Sequence, residues 1–137
     1  MPLKIYLADL THTGKGTATE AFPLNLGLVA SYAKKTFGKD VSLTLFKYPQ
    51  DLHEAMREIP PDVLACSNYT WNCNLSYHFI QLAKSLNSET LTVLGGTNYP
   101  FDEAQQEGFL RKYPDVDTHI FYEGEIAFSN ILKSVLS

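Results

Sequence analysis

The feature that most constrains this chain is the regular alternation of short apolar runs with helical stripes. Leu3-Lys4-Ile5-Tyr6-Leu7-Ala8-Asp9 reads as a first strand, stopped by a Thr/Gly-rich loop over 10–22. Pro23 opens a helix in which Leu24, Leu28, Tyr32 and Ala33 form the apolar stripe, up to Gly38. Val41 to Tyr48 alternates as a second strand before Pro49, and a polar helix over 50–58 closes at Ile59-Pro60-Pro61. Val63 to Cys66 is a third strand. Leu75, Phe79, Leu82, Ala83 and Leu86 then mark the clearest amphipathic helix. Leu91 to Leu94 is a fourth strand, 102–113 a polar helix, Thr118 to Tyr122 a fifth strand. A last helix carries Phe128, Ile131, Leu132, Val135 and Leu136 on one face.

Five strands each followed by a helix imply parallel βαβ units, because a crossover helix is what lets successive strands run the same way. Right-handed crossovers then place helices on both faces of one open sheet, a three-layer Rossmann-like α/β architecture. The 137 residues suffice for one such domain over 1–137, without repeats or linkers. Ligands of these sheets bind beyond the carboxyl ends of the strands. The loops to read are therefore 9–22, 67–74, 95–101 and 122–125.

Charge and composition remove several function classes. With 11 Lys+Arg against 15 Asp+Glu the net charge is −4, a poor surface for a phosphate backbone, so no nucleic acid is expected. No apolar run reaches the about 20 residues of a membrane span, and the first ten residues lack signal-peptide architecture. Two cysteines, Cys66 and Cys73, make no disulfide framework and fit a reducing, cytoplasmic setting. They also lack the CxxC or clustered His of a zinc site. His53, His78 and His119 fall on helix or strand segments and read as surface or packed residues.

Each of the four loops is unusual. Asp9-Leu10-Thr11-His12-Thr13-Gly14-Lys15-Gly16 combines hydroxyls and glycines that let backbone approach a ligand, although its spacing is not that of a Walker loop. Ser67-Asn68-Tyr69-Thr70-Trp71-Asn72 concentrates planar and hydrogen-bonding groups, which suits a flat conjugated ligand; the blander reading has Tyr69 and Trp71 closing the core and Asn72 or Asn74 capping the next helix. Gly95-Gly96 suggests something bulky close to the backbone, with Thr97, Asn98 and Tyr99 as polar tips. Glu123-Gly124-Glu125 opens the last helix, where acidic residues also suit the helix dipole. A phosphoreceiver reading fails, since it needs paired acids after strand one, an Asp ending strand three and a Lys ending strand five. Here those stretches read Asp9-Leu10, Cys66-Ser67 and Phe121-Tyr122.

In order and spacing these segments resemble the cobalamin-binding domain at the N-terminus of B12-dependent radical SAM proteins. The resemblance rests on Pro23-Leu24-Asn25-Leu26-Gly27-Leu28, Pro61-Asp62-Val63-Leu64, Cys66 to Asn72, Val93-Leu94-Gly95-Gly96 and Glu123-Gly124-Glu125. It implies a flavodoxin-like sheet of order 2-1-3-4-5, with the corrin ring above the carboxyl ends and the nucleotide tail inserted into the domain. It implies that Ser67 binds the tail, that Gly95-Gly96 makes room for it, and that Thr11, His12, Thr13 and Gly14 border the ring. Tyr69, Thr70, Trp71, Thr97, Glu123 and Gly124 complete the expected cofactor-binding set. Family members that place a histidine on cobalt carry Asp-x-His-x-x-Gly in the first loop. Here the order is Asp9-x-x-His12-x-Gly14, so His12 is not expected to ligate the metal.

The chain carries no Cys-x-x-x-Cys-x-x-Cys motif, so the iron–sulfur cluster and S-adenosylmethionine would belong to a downstream radical SAM domain. The expected role is a binding module, without catalytic residues of its own, that presents the corrinoid to that domain for methyl transfer or related chemistry. The alternatives are an interaction module of the same fold that no longer binds cobalamin, and a flavin or nucleotide binder.

Overall fold

The computed structural model describes residues 1–11, 24–120 and 124–137. Five parallel strands, β1 (Leu3–Ala8), β2 (Val41–Phe46), β3 (Val63–Ser67), β4 (Leu91–Gly95) and β5 (Thr118–Ile120), form one sheet of order β2-β1-β3-β4-β5. Helices α1 (Leu24–Phe37), α2 (Pro49–Glu58), α3 (Cys73–Leu86), α4 (Glu103–Lys112) and α5 (Gly124–Leu136) connect and flank them. The flavodoxin-like order expected from the sequence is thus the order of this sheet.

Two cores result, one per face. Ile5, Leu7, Val63, Ala65, Val93 and Ile120 meet Ala30 and Ala33 of α1 and Phe128 and Leu132 of α5. On the other face Ala8, Leu64, Cys66 and Leu94 meet Leu52 and Met56 of α2 and Phe79, Ile80 and Ala83 of α3. The alternation is the two-residue period of a strand covered on both sides. Each fully buried Leu, Ile or Met contributes about 1.5–3 kcal/mol of transfer free energy, so β3, buried along its whole length, is the spine of the domain. Away from the carboxyl ends, Lys84 of α3 donates to Thr90 O at 2.8 Å and pairs with Asp117 at 2.7 Å. Asp117 also accepts from Thr92 N at 2.9 Å, tying α3 to the start of β5. Among the described residues no helix is long and apolar enough to cross a membrane.

Some expectations need correction. In α1 the expected stripe holds at Ala33 but not at Leu28 and Tyr32, which are 48% and 42% exposed; Leu26, Val29, Ala30 and Phe37 face the sheet with Ala33. Both series have helical spacing, and the small Ala30 and Ala33 let α1 lie close to the sheet. In α5, Phe128 and Leu132 are buried, but Val135 and Leu136 are exposed in the last turn. β2 stops at Phe46 because Pro49 already sits in the first turn of α2, and its Leu45 is exposed on the sheet edge. The end of the fifth expected strand, 121–122, lies outside the described residues.

Candidate functional site

At the carboxyl ends the strand alternation produces one row of residues on each face. Asp9, just beyond β1, Ser67, Gly95 and Ile120 continue the series of Leu7, Ala65 and Val93 on the α1/α5 face. Ser67 pairs in register with Gly95, and Gly95 with Ile120. The two central positions carry almost no side chain. A Cβ added at Gly95 would meet only Ile120 Cβ, at 3.8 Å, an ordinary contact. Ser67 donates its hydroxyl proton to Asp9 Oδ1 at 2.6 Å. This row is a low, polar floor.

The opposite row is filled. Leu10 and Asn68 are each 1% exposed. The Asn68 amide donates to Asn98 O at 2.9 Å and lies 3.2 Å from His119 Nε2, while its Oδ1 accepts from Asn98 Nδ2 at 3.2 Å. Gly96 adopts φ +139°, and a Cβ there would come within 2.5 Å of Asn68 O. The bulky neighbour that the double glycine implies at position 96 is therefore the backbone of the chain itself. Because Asn68 donates, His119 Nε2 accepts and its Nδ1–H faces Ile120 O at 3.0 Å. Burial pushes the His119 imidazole down to about 4, against the weaker raising effect of that Ile120 contact. Tyr99 stacks on the imidazole with centroids 3.8 Å apart and planes 8° apart, and Phe109 meets it edge-on.

Between the rows lies the β3–α3 loop. The strand ends at Ser67 and a turn follows, yet Tyr69 and Trp71 still lie together, stacked at 4.6 Å and 11°, with Trp71 65% exposed. Thr70 is exposed beside them. Asn72 occupies the N-cap position of α3, but its side chain makes no capping bond. The residue is wholly buried: Oδ1 accepts from Tyr69 N at 2.9 Å, and Nδ2 donates to Leu10 O at 3.2 Å and Ser67 Oγ at 2.9 Å. Ser76 Oγ donates to Ser67 O at 2.8 Å. The loop is held from inside by asparagines and presents its aromatic pair outward.

Of the residues singled out in the sequence, Ser67, Tyr69, Thr70, Trp71, Gly95, Gly96 and Thr97 gather around β3 and β4, with Thr11 half-buried after β1. Gly124 opens α5 against α1, where an added Cβ would press Val29 Cγ2 at 3.2 Å. His12, Thr13, Gly14 and Glu123 lie outside the described residues. The sequence marks Asn68 and Asn98 only as polar loop residues and His119 as a surface or packed histidine; it does not show that the three bond to one another. Their signal was present only as an excess of amides in loops where polar groups are normally solvated. Cys66 is buried on β3, and that burial pushes its thiol up to about 12, far from a thiolate nucleophile. Among the described residues no three His, Cys, Asp or Glu side chains are grouped to hold a metal ion.

The chain is similar to known proteins in sequence and in fold. The profile of the B12 binding domain matches residues 15–132. A cobalamin-dependent radical SAM methyltransferase, TokK of Streptomyces tokunonensis, is 32% identical over 120 residues, covering 84% of this chain and 17% of that protein. The 2-(S-pantetheinyl)-carbapenam-3-carboxylate methyltransferase of Streptantibioticus cattleyicolor is 32% identical over 138 residues, covering 94% and 18%. The chain thus spans under a fifth of the length of these relatives. Among solved structures, a cobalamin-binding protein from Desulfitobacterium hafniense superposes with TM-score 0.66 at 14% identity, covering 96% of this chain and 57% of that one. The activated DrrB receiver domain superposes almost as well, with TM-score 0.64 at 15% identity and full coverage of both chains. The fold alone is thus shared by both kinds of protein, whereas the sequence profile matched is that of the B12 binding domain.

Proposed function

This chain belongs to the B12-binding domain family, and we propose that it holds cobalamin across the carboxyl end of its sheet. The observation that carries the reading is the low row of Asp9, Ser67 and Gly95 beside the filled row of Leu10, Asn68 and Gly96. A long nucleotide tail needs a path free of side chains, and among the described residues Gly95 beside Ser67 is the strand end where a Cβ finds room, while Gly96 is not. Its fit is further supported by Ser129 of α5, a 93% buried residue (7% exposed) whose hydroxyl has no partner among the described residues. A buried orphan hydroxyl costs about 1–3 kcal/mol unless something supplies a bond.

In this arrangement Ser67, Gly95 and Gly124 border the tail. Thr11, Tyr69, Thr70, Trp71 and Thr97 face the corrin ring, joined by His12, Thr13, Gly14 and Glu123 in the segments outside the described residues. Gly96 serves by letting the two loops close on each other. Cobalamin, when bound, supplies the cobalt chemistry; the chain binds, orients and shields it. Ser67, Gly95 and Gly124 would hold the nucleotide tail, and His12, whose spacing departs from that of the ligating motif, would not be a ligand of the metal. In the whole protein this module, 1–137, would lie N-terminal to a radical SAM domain carrying the iron–sulfur cluster and S-adenosylmethionine, and would serve methyl transfer or related chemistry.

The test is titration of the purified chain with cobalamin and, separately, with FMN, followed by the corrin absorbance and by thermal stabilisation. Cobalamin should bind in a base-off form whose spectrum His12→Ala leaves unaltered. Stabilisation by FMN instead would favour a flavin binder, and no response to either would make this an interaction module.

A further inference from the structure

We infer that Asn72 is a positioning residue that sets the Ser67 hydroxyl for the nucleotide tail, an inference that rests on the cobalamin reading. The argument is one of hydrogen-bond direction. Tyr69 N can only donate and Leu10 O can only accept, so together they fix the Asn72 amide with Oδ1 toward Tyr69 and Nδ2 toward Leu10. The second Nδ2 proton then points at Ser67 Oγ, 2.9 Å away. Ser67 receives there, so its single proton goes to Asp9 Oδ1, 2.6 Å away. One lone pair on Oγ remains. A hydroxyl that would otherwise rotate among three wells is held in one, and its remaining lone pair is offered to a donor on the tail such as a ribose hydroxyl. Asn72 is wholly buried and, because its side chain is spent in this way, it leaves the α3 N-terminus without a side-chain cap. Forgoing a cap costs about 1 kcal/mol, which a purely local helix start would not require.

Cobinamide, which keeps the corrin ring and lacks the nucleotide tail, separates positioning from folding. Asn72→Asp keeps the shape and the acceptor toward Tyr69 but turns the donor toward Ser67 and Leu10 O into an acceptor, so Ser67 loses the bond it accepts and its one proton is left with two competing acceptors. The variant should weaken cobalamin binding about tenfold, the weight of one oriented hydrogen bond, and leave cobinamide binding unchanged. It should not weaken cobalamin further in a Ser67→Ala background, since the two residues act through one hydroxyl. Cobinamide binding also reports that each variant is folded. Equal losses for the two ligands, or a loss that persists on Ser67→Ala, would overturn the inference. A parent protein that binds cobinamide as tightly as cobalamin would overturn the tail placement itself, and one that binds neither would overturn the cobalamin reading.

Discussion

The two faces of the sheet differ at its carboxyl edge in what closes them. On the face covered by α2, α3 and α4, the strand ends are plugged: Leu10 and Asn68 are buried, Gly96 is pressed against Asn68, and His119 is stacked under Tyr99. On the face covered by α1 and α5 the same strands end in Asp9, Ser67 and Gly95, where a Cβ still finds room. Adjacent glycines in one Gly-Gly pair thus differ: Gly96 is required by the fold, whereas Gly95 is compatible with a side chain.

The largest effect expected from breaking this asymmetry is at Gly96. Gly96→Ala places a Cβ on Asn68 O and forces an L side chain into φ +139°, so stability should fall by about 3 kcal/mol or more. That corresponds to a drop of roughly 10 °C in Tm, read by thermal denaturation without ligand. A variant as stable as the parent would mean that the filled row is not filled.

Gly95→Val should do the reverse. Its Cβ meets Ile120 Cβ at ordinary distance and a β-branched residue suits a strand, so Tm should hold within the equivalent of about 1 kcal/mol. Cobalamin binding should weaken about tenfold or more as the floor rises. Measured together by calorimetry and ligand titration, the two variants separate a folding glycine from a binding one. Equal behaviour would erase the distinction.

That distinction also marks how far the sequence could be read. Strand number, helix positions and the sheet's carboxyl end follow from hydrophobic period, because each strand face and helix stripe must meet a covered partner. The choice between Leu28/Tyr32 and Leu26/Ala30 as partners of the buried Ala33 in the inner stripe of α1 did not, since both pairs have the same spacing and only the distance to the sheet decides. Asn72 looked like an N-cap because its position is one; its inward rotation depends on Leu10 and Ser67, 62 and five residues away. Asn68 and His119 were invisible as partners for the same reason, their contact spanning 51 residues. Long-range polar pairing leaves no period in a sequence.

His119 gives the comparison a pH signature. Its ring is held neutral by burial, titrating near about 4 instead of the usual 6.5. The unfolded chain therefore takes up the proton first as pH falls. Stability should be complete above about pH 6.5 and decline from there down to about 4, where the folded form also protonates. Burial alone would raise Asp117, but its bonds to Lys84 and Thr92 outweigh that and hold it below the usual carboxylate range, so its own loss comes at lower pH. His119→Gln should flatten the limb between 6.5 and 4. Urea midpoints across that range decide it, and an unchanged limb would place the titrating group elsewhere.

The smallest effect, and the one that bears most directly on the open face, concerns Ser129. Its hydroxyl is buried on α5 without a partner among the described residues, so in the ligand-free protein it should contribute only desolvation cost. Ser129→Ala should then leave the free protein as stable as the parent or up to about 1 kcal/mol more stable. If the hydroxyl meets the nucleotide tail, the same substitution should weaken cobalamin binding by roughly threefold to tenfold and leave cobinamide binding alone. The two shifts run in opposite directions, which a packing defect would not produce, because lost packing lowers stability and binding together. A free protein destabilised by the change would show that Ser129 is already bonded within the fold, and the case for the α1/α5 face would then rest on Ser67 and Gly95.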